Sequence, residues 1–361
     1  MTMTVLTGSV RELVDRHLTE IVERATGELG FVGDEGVGTV RRFLADFVLR
    51  GGKRLRPSFV YWGHRAAGGR PEELDAVLSA GCAVELVHAC ALLLDDVMDE
   101  SGTRRGRVTA HLALAEEHRR AGWRGDPRRH GESVATLLGL LAYTWADSAM
   151  LAARGSYRAW EVFTRLRVEL IGGQYLDLVN AAHGRATRRR IMEIAAYKSG
   201  KYTVERPLHL GHALAGGDGA TLAALSAYAA PLGQAFQLRD DVLGVFGDPA
   251  RTGKPAGADL LLGKQTYLLA EARARTGELG AAILGPVREE ATVGGAADVR
   301  HEVDLAAARE LIVACGALEA AERRIGALAG EAAAALEAPC LPADAAAALV
   351  ELARQATERV A

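Results

Sequence analysis

Apolar residues recur at spacings of three and four along nearly the whole chain, and no sustained alternation of β-branched with polar residues interrupts them. Side chains three and four apart share one face of an α-helix, so the pattern commits the chain to helices that bury a face or a whole surface. Abundant Ala and Leu reinforce the pattern. Aromatic residues make up only 5% of the chain. The expected class is all-α. Hydrophobic residues are 49% of the 361, enough to bury a sizeable core without disulfide or metal staples.

Gly- and Pro-rich breaks at 27–38, 49–57, 67–73, 120–133, 215–219 and 247–264 are loop-sized rather than linker-sized. One helical domain over 1–361 is therefore expected, opened by an N-terminal helix and loop over 1–34. No internal repeat is visible, and the Ala-rich tail reads as closing helices. The four cysteines, Cys82, Cys90, Cys315 and Cys340, show no paired short spacing, so neither a zinc site nor a disulfide framework is expected, and a reducing cytoplasm fits. The start lacks the basic and apolar regions of a signal peptide. A net charge of −3 gives no global basic field, which excludes general nucleic-acid binding. The stretch ATLLGLLAYTWADSAMLAA, residues 135–153, is long enough to span a bilayer, but Asp147 and Ser148 interrupt it. It reads as a buried core helix, and no transmembrane segment is expected.

Chemistry concentrates between residues 51 and 264. In LLLDDVMDESGTRRG, residues 92–106, an apolar helix runs into Asp95, Asp96 and Asp99 and then into Arg104 and Arg105. Counting back by threes and fours, Glu85, His88, Leu92, Asp95 and Asp99 form one stripe, with Asp96 beside it. Carboxylates at a helix C-terminus oppose the macrodipole and repel one another, so a cation is the natural resolution. The bland alternative is a solvated end whose acids pair with Arg104 and Arg105. A second apolar helix, GQAFQLRDDVLGVFGD over 233–248, ends likewise on Asp240 and Asp241, with Gln237 and Gly244 near the same side. All-carboxylate ligation without Cys or His selects Mg²⁺ over zinc, and Mg²⁺ completes its shell with water and phosphate oxygens.

Basic residues accompany both acidic ends. GGKRLRP, residues 51–57, offers flexible backbone, then Lys53, Arg54 and Arg56, then a helix-starting Pro57, a junction suited to an anion. It is not a Walker loop. Lys198 sits in YKSGKYT, and Lys254 and Lys264 sit in two Gly-Lys steps after the second acidic end. Cations and carboxylates placed together in this way suit two diphosphate substrates.

The ordered set GGKRLRP, ELVHACALLLDDVMDESGTRRG, GGQYLDL, YKSGKYT, FQLRDDVLGVFGD and GKPAGADLLLGKQT resembles the trans-isoprenyl diphosphate synthases, the polyprenyl synthetase family, over about residues 35–355, most closely its bacterial geranylgeranyl diphosphate synthases. The resemblance implies an isoprenoid-synthase-type helical bundle around a central cavity, working as a homodimer. By it, Asp95, Asp96, Asp99, Asp240 and Asp241 are metal ligands, for about three Mg²⁺ ions per active site. Lys53, Arg56, His88 and Arg105 match the isopentenyl diphosphate pocket; Arg104, Lys198 and Lys254 match contacts to the allylic diphosphate, with Lys264 a further substrate-binding candidate; Gln174 and Asp177 belong to the supporting helix. The reaction implied is ionisation of the allylic C–O bond, attack by the isopentenyl double bond, and proton loss. The Lys198 carbonyl, Ser199 hydroxyl and Gln237 amide would steady the carbocation by dipole. Three departures from the family pattern stand out: Gly244 replaces a third acid, Gly139-Leu140 replaces Gly-Asp, and Ser199 replaces Thr. The first predicts weaker metal affinity at the second acidic end.

The helix before Asp95 also acts as a ruler, since one turn of about 5.4 Å is comparable to one isoprene unit. Cys90 and Ala91, one turn down, are small, and Val87 lies a turn deeper. Without an aromatic stop, growth beyond farnesyl and a geranylgeranyl product are expected. Two rival readings are a class I terpene cyclase and a non-catalytic subunit of a prenyl synthase. A cyclase has no use for GGKRLRP, and a regulatory chain would be expected to lose an acidic motif or a basic cradle.

Overall fold

A computed structural model describes residues 3–50, 52–183, 187–248, 257–261, 264–277, 280, 283–284 and 304–358. These are helical almost throughout. The sheet found among them is a two-strand hairpin, Thr103–Arg104 (β1) antiparallel to Arg107–Val108 (β2). The chain divides into two compact units, one of residues 1–164, 206–225 and 338–351, the other of residues 165–205, 226–337 and 352–361.

The first unit is built round α5 (Leu74–Met98), whose residues from Val77 to Val87 are all buried. A helix apolar on every side must be enclosed. Around α5 lie α1 (Met3–Gly27), α4 (Leu55–Ala66) and α7 (Pro127–Ala152), with α6 (Ala110–Ala121) packed on α7 and α10 (Arg206–Ala215) on α4. Gly211 lets α10 meet α4 backbone to backbone, because a methyl group there would collide with the Val60 carbonyl. Local chemistry starts the helices where the sequence places them. Asp126 caps α7 by accepting from the Arg129 amide at 2.9 Å, with Pro127 preset at the first helical position.

Two sequence expectations need correction here. Residues 27–38, read as a loop, contain a 3₁₀ turn (Gly30–Val32) and most of α2 (Gly33–Val40), whose first turn carries Asp34 and Glu35. Carboxylates at that end favour the helix dipole and offset its glycines. Two helical segments, Pro71–Met98 and α7, are long and apolar enough to cross a membrane; the first is 78% buried over its most apolar window, α7 only 44%. The α7 stretch is thus not an enclosed core helix: Leu137, Leu140 and Leu151 lie exposed on one stripe.

In the second unit, α9 (Arg188–Ala195) leads into a wide π-helical segment, Ala196–Glu205. The core gathers Leu238, Val242 and Val245 of α11 (Gly219–Phe246) with Leu268 of the helix Tyr267–Thr276 and Ile312 and Ile325 from the closing helices. Arg239 grips Glu322 with two nitrogens at 2.6 and 2.7 Å and the Thr357 carbonyl at 2.6 Å. The long α8 (Tyr157–His183) contributes its residues from 165 onward to this unit.

Candidate active site

In the first unit, α5 ends where its apolar run meets Asp95 and Asp96, with Asp99 as its C-cap. Arg104, carried back by the β1–β2 hairpin, clasps both acids. Its Nη2 lies 3.2 Å from Asp95 and 2.5 Å from Asp96, and its Nε lies 2.9 Å from Asp96. A guanidinium therefore occupies the position of a cation between the two carboxylates. Arg105 turns away from the acids, donates to the Phe47 carbonyl at 3.2 Å and lies over the Phe47 ring.

A small cleft beside this end is lined by Phe47, Arg54, Glu85, His88, Leu92 and Arg105, among others. It is strongly electropositive. Burial, then the charges of Arg56, Arg105, Arg104 and Arg54, hold the His88 imidazole well below the usual histidine range, so it is neutral. Burial also lowers Arg105, where Arg54, Arg104 and Arg56 add repulsion and Glu85 opposes them. Like charges assembled at such cost suit a multiply charged anion. Arg54 and Arg105 both hold left-handed backbone, φ 48° and 52°, a strain that clusters at functional sites. Lys53 is exposed and Arg56 half-buried beside this cleft's loop. Arg54, by contrast, is turned inward to Glu85 and Asp15. Asp15 comes from α1 and carries no motif that marks it in the sequence.

Along α5 towards its N-terminus, Val87 and Cys90 are buried at 1% and 6% exposure. Ala91 shares the partly exposed stripe of His88, Leu92 and Asp95. The Cys90 side of α5 meets α7 at Gly139, where a methyl group would lie 3.1 Å from Leu94 and 3.7 Å from the Cys90 carbonyl.

In the second unit, glycines set the geometry. A methyl group on Gly173 of GGQYLDL would collide with the Lys198 backbone, and one on Gly233 would lie 2.9 Å from the Gly200 Cα. The π segment thus packs backbone-close to α8 and to α11. A π segment departs from the usual i→i+4 pairing, a feature frequent at functional sites. Ser199 lies half-buried in it, and Lys198 reaches Asp177 of α8 at 2.6 Å. Gln174 is half-buried on the same helix as Asp177.

On α11, Asp240 is partly exposed while Asp241 is buried. Both oxygens of Asp241 are engaged: Oδ1 accepts from Gln237 at 2.8 Å and Oδ2 from the Tyr267 amide at 2.9 Å. Burial pushes this carboxyl up to about 7; Asp259 and Asp240 add repulsion, and the two hydrogen bonds act against it. The place of a third acid at Gly244 is crowded, since any side chain there would run into the Asp259 carboxylate. Lys264 is half-buried, its amide donating to the Asp259 carbonyl at 3.0 Å. Lys254 lies outside the described residues.

The donor set fits Mg²⁺. It is made of carboxylate oxygens, and among the described residues no three acidic, thiol or imidazole groups close a cage. Mg²⁺ takes such oxygen donors and completes its shell with water and phosphate oxygens.

A family model described as polyprenyl synthetase matches residues 38–293. The geranylgeranyl pyrophosphate synthase of Corynebacterium glutamicum, solved with isoprenyl diphosphate and magnesium, is 37% identical, covers 97% of this chain and 99% of its own, and superposes with a TM-score of 0.87. The geranylfarnesyl diphosphate synthase of Aeropyrum pernix is 30% identical over 285 residues, 77% of this chain and 80% of its own. The farnesyl diphosphate synthase of Escherichia coli is 36% identical over 236 residues, 61% of this chain and 70% of its own. Matched in sequence over more than half its length and in fold over nearly all of it, the chain belongs to the polyprenyl synthetase family and has the all-α fold of the polyprenyl synthases.

Proposed function

We propose that this member of the family condenses isopentenyl diphosphate with an allylic diphosphate and stops at geranylgeranyl diphosphate. The observation that carries the chain length is Ala91: it is small, partly exposed, and one helical turn before Asp95. The similarity to the Corynebacterium glutamicum geranylgeranyl pyrophosphate synthase adds support.

Lys53, Arg56, Arg105 and neutral His88 bind the diphosphate of the isopentenyl substrate, and burial of the cleft strengthens each of those contacts. Arg104, Lys198, Lys254 and Lys264 hold the allylic diphosphate. For Arg104 this requires exchanging Asp95 and Asp96 for phosphate, which frees both carboxylates. Asp95, Asp96 and Asp99 in the first unit and Asp240, with Asp241 behind it, in the second would hold Mg²⁺, which would supply neutralisation of the charge that grows on departing diphosphate. Gln174 and Asp177 steady the helix that positions Lys198. The Lys198 carbonyl, the Ser199 hydroxyl and the Gln237 carbonyl present negative dipole ends to the allylic cation, an electrostatic contribution available without reorganisation. Gln237 is suited to this because its NH₂ end is held by Asp241. The isopentenyl π electrons then form the new C–C bond, and a proton is lost to the released diphosphate.

The chain is proposed to act as one domain in a cytoplasmic homodimer. All four cysteines are free, and the exposed leucine stripe of α7 offers an apolar surface for a second copy. The test is incubation of the purified chain with Mg²⁺, isopentenyl diphosphate and farnesyl diphosphate, followed by dephosphorylation and mass analysis of the alcohol. A C20 alcohol is expected. A cyclic hydrocarbon, or activity seen only after adding a second protein, would overturn the reading.

A further inference from the structure

We propose that Asp15, on the helix preceding the family-matched residues 38–293, is a positioning residue for the isopentenyl-side cradle and acts through Arg54. The inference rests on the assignment of Lys53, Arg56, His88 and Arg105 to isopentenyl diphosphate.

Arg54 stands between Lys53 and Arg56, yet its guanidinium is 1% exposed and has three tethers. Nη1 donates to Glu85 of α5 at 2.6 Å, Nη2 to the Val48 carbonyl at 2.9 Å, and Nε to Asp15 of α1 at 2.7 Å. Its backbone is left-handed, a conformation that a residue with a side chain keeps only when its surroundings over-determine it. Two further bonds from Arg54's own backbone turn the loop into α4: its carbonyl accepts from the Ser58 amide at 3.0 Å and from the Ser58 hydroxyl at 2.8 Å. The directions in which Lys53 and Arg56 leave the chain are thus set by how Arg54 is held.

Asp15 is itself fixed. Val10, Val14 and Leu18 bury the same helix against the core, and His17 bonds the Ser79 hydroxyl at 2.9 Å. Arg11 is a distant competitor for Asp15 at 3.8 Å, half exposed. Glu85 and Arg54 also line the cleft with His88 and Arg105. Without Asp15, Glu85 alone would balance the buried guanidinium, and Arg54 would be free to swing towards the cleft, carrying its neighbours with it. The effect should fall on one substrate only, because Arg104 and Lys198 owe nothing to this loop.

The test compares the full-length chain with Asp15→Asn, Asp15→Glu and Arg54→Lys, measuring KM for each substrate, kcat, and calorimetric affinity for isopentenyl diphosphate alone. Asp15→Asn is expected to weaken isopentenyl diphosphate by about two- to fivefold, the scale of a half-exposed ion pair, with KM for the allylic substrate and kcat unchanged. Asp15→Glu should recover part of the loss, and Arg54→Lys should exceed it. Unchanged isopentenyl affinity in Asp15→Asn, or equal shifts in both KM values, overturns the role of Asp15. Wild-type protein that binds no isopentenyl diphosphate overturns the cradle assignment instead, so the two failures are told apart. If Arg54→Lys does not fold, the Asp15 pair decides the matter alone.

Discussion

Asp240 keeps a partly exposed carboxylate, whereas the next carboxylate along α11 joins Gln237 to the first amide of the helix Tyr267–Thr276. Substitution should separate the two. Asp241→Ala orphans the partly buried Tyr267 amide and should lower unfolding stability by about 1–3 kcal/mol, seen as a lower denaturant midpoint. Asp240→Ala should leave that midpoint in place and reduce kcat by about 10²-fold or more. A similar contrast divides the ruler residues. Ala91→Phe adds bulk on the partly exposed stripe of α5 and should shift the product towards farnesyl diphosphate, read by mass analysis. Cys90→Phe overpacks a site 6% exposed and should show first as about 1–3 kcal/mol of lost stability. An unchanged product distribution in Ala91→Phe would disprove the ruler.

Between elements, the two close contacts made by Gly173, Gly200 and Gly233 hold Lys198 and Gln237 in register. Gly173→Ala should push the π segment off α8, costing about 1–3 kcal/mol and lowering kcat with it. Gly172→Ala is the control, since nothing lies within 4 Å of a methyl group there. Much of this level was legible beforehand. The acidic helix ends, the basic loop and the GGQ and SGK glycines all stand in plain order in the sequence, because each is a short contiguous motif. The contacts without a sequence motif work across long separations. Asp241 meets an amide 26 residues on, and Asp15 meets Arg54 from 39 residues upstream. Neither spacing leaves a local signature, and Asp15 already had an ordinary helical partner in Arg11, four residues back. Residues 27–38 misled for the opposite reason: their glycines are a strong local signal for a break, overruled where Asp34 and Glu35 favour the start of α2.

Across the whole molecule, protonation acts mostly in one direction. Burial holds His64, His88, His111 and His212 below the ordinary 6.5. A group with a lowered folded-state pKa binds fewer protons folded than unfolded, so its contribution is full above pH 6.5 and shrinks as pH falls below it. Glu73, drawn down to about 2 by the Arg70 amide and guanidinium, extends the same trend to lower pH. Asp241, raised to about 7, has the opposite sign and weakens the fold as pH rises towards that value. The melting temperature should therefore fall between pH 7.5 and 5.5, and fall more steeply in Asp241→Asn; a flat profile would contradict the burial of these imidazoles. The stripe of Leu137, Leu140 and Leu151 bears on how any such assay is run. If a twin copy shields those leucines, each chain borrows its solubility from another, and specific activity becomes a property of concentration: stocks diluted far enough should lose turnover and start sticking to the walls of the tube.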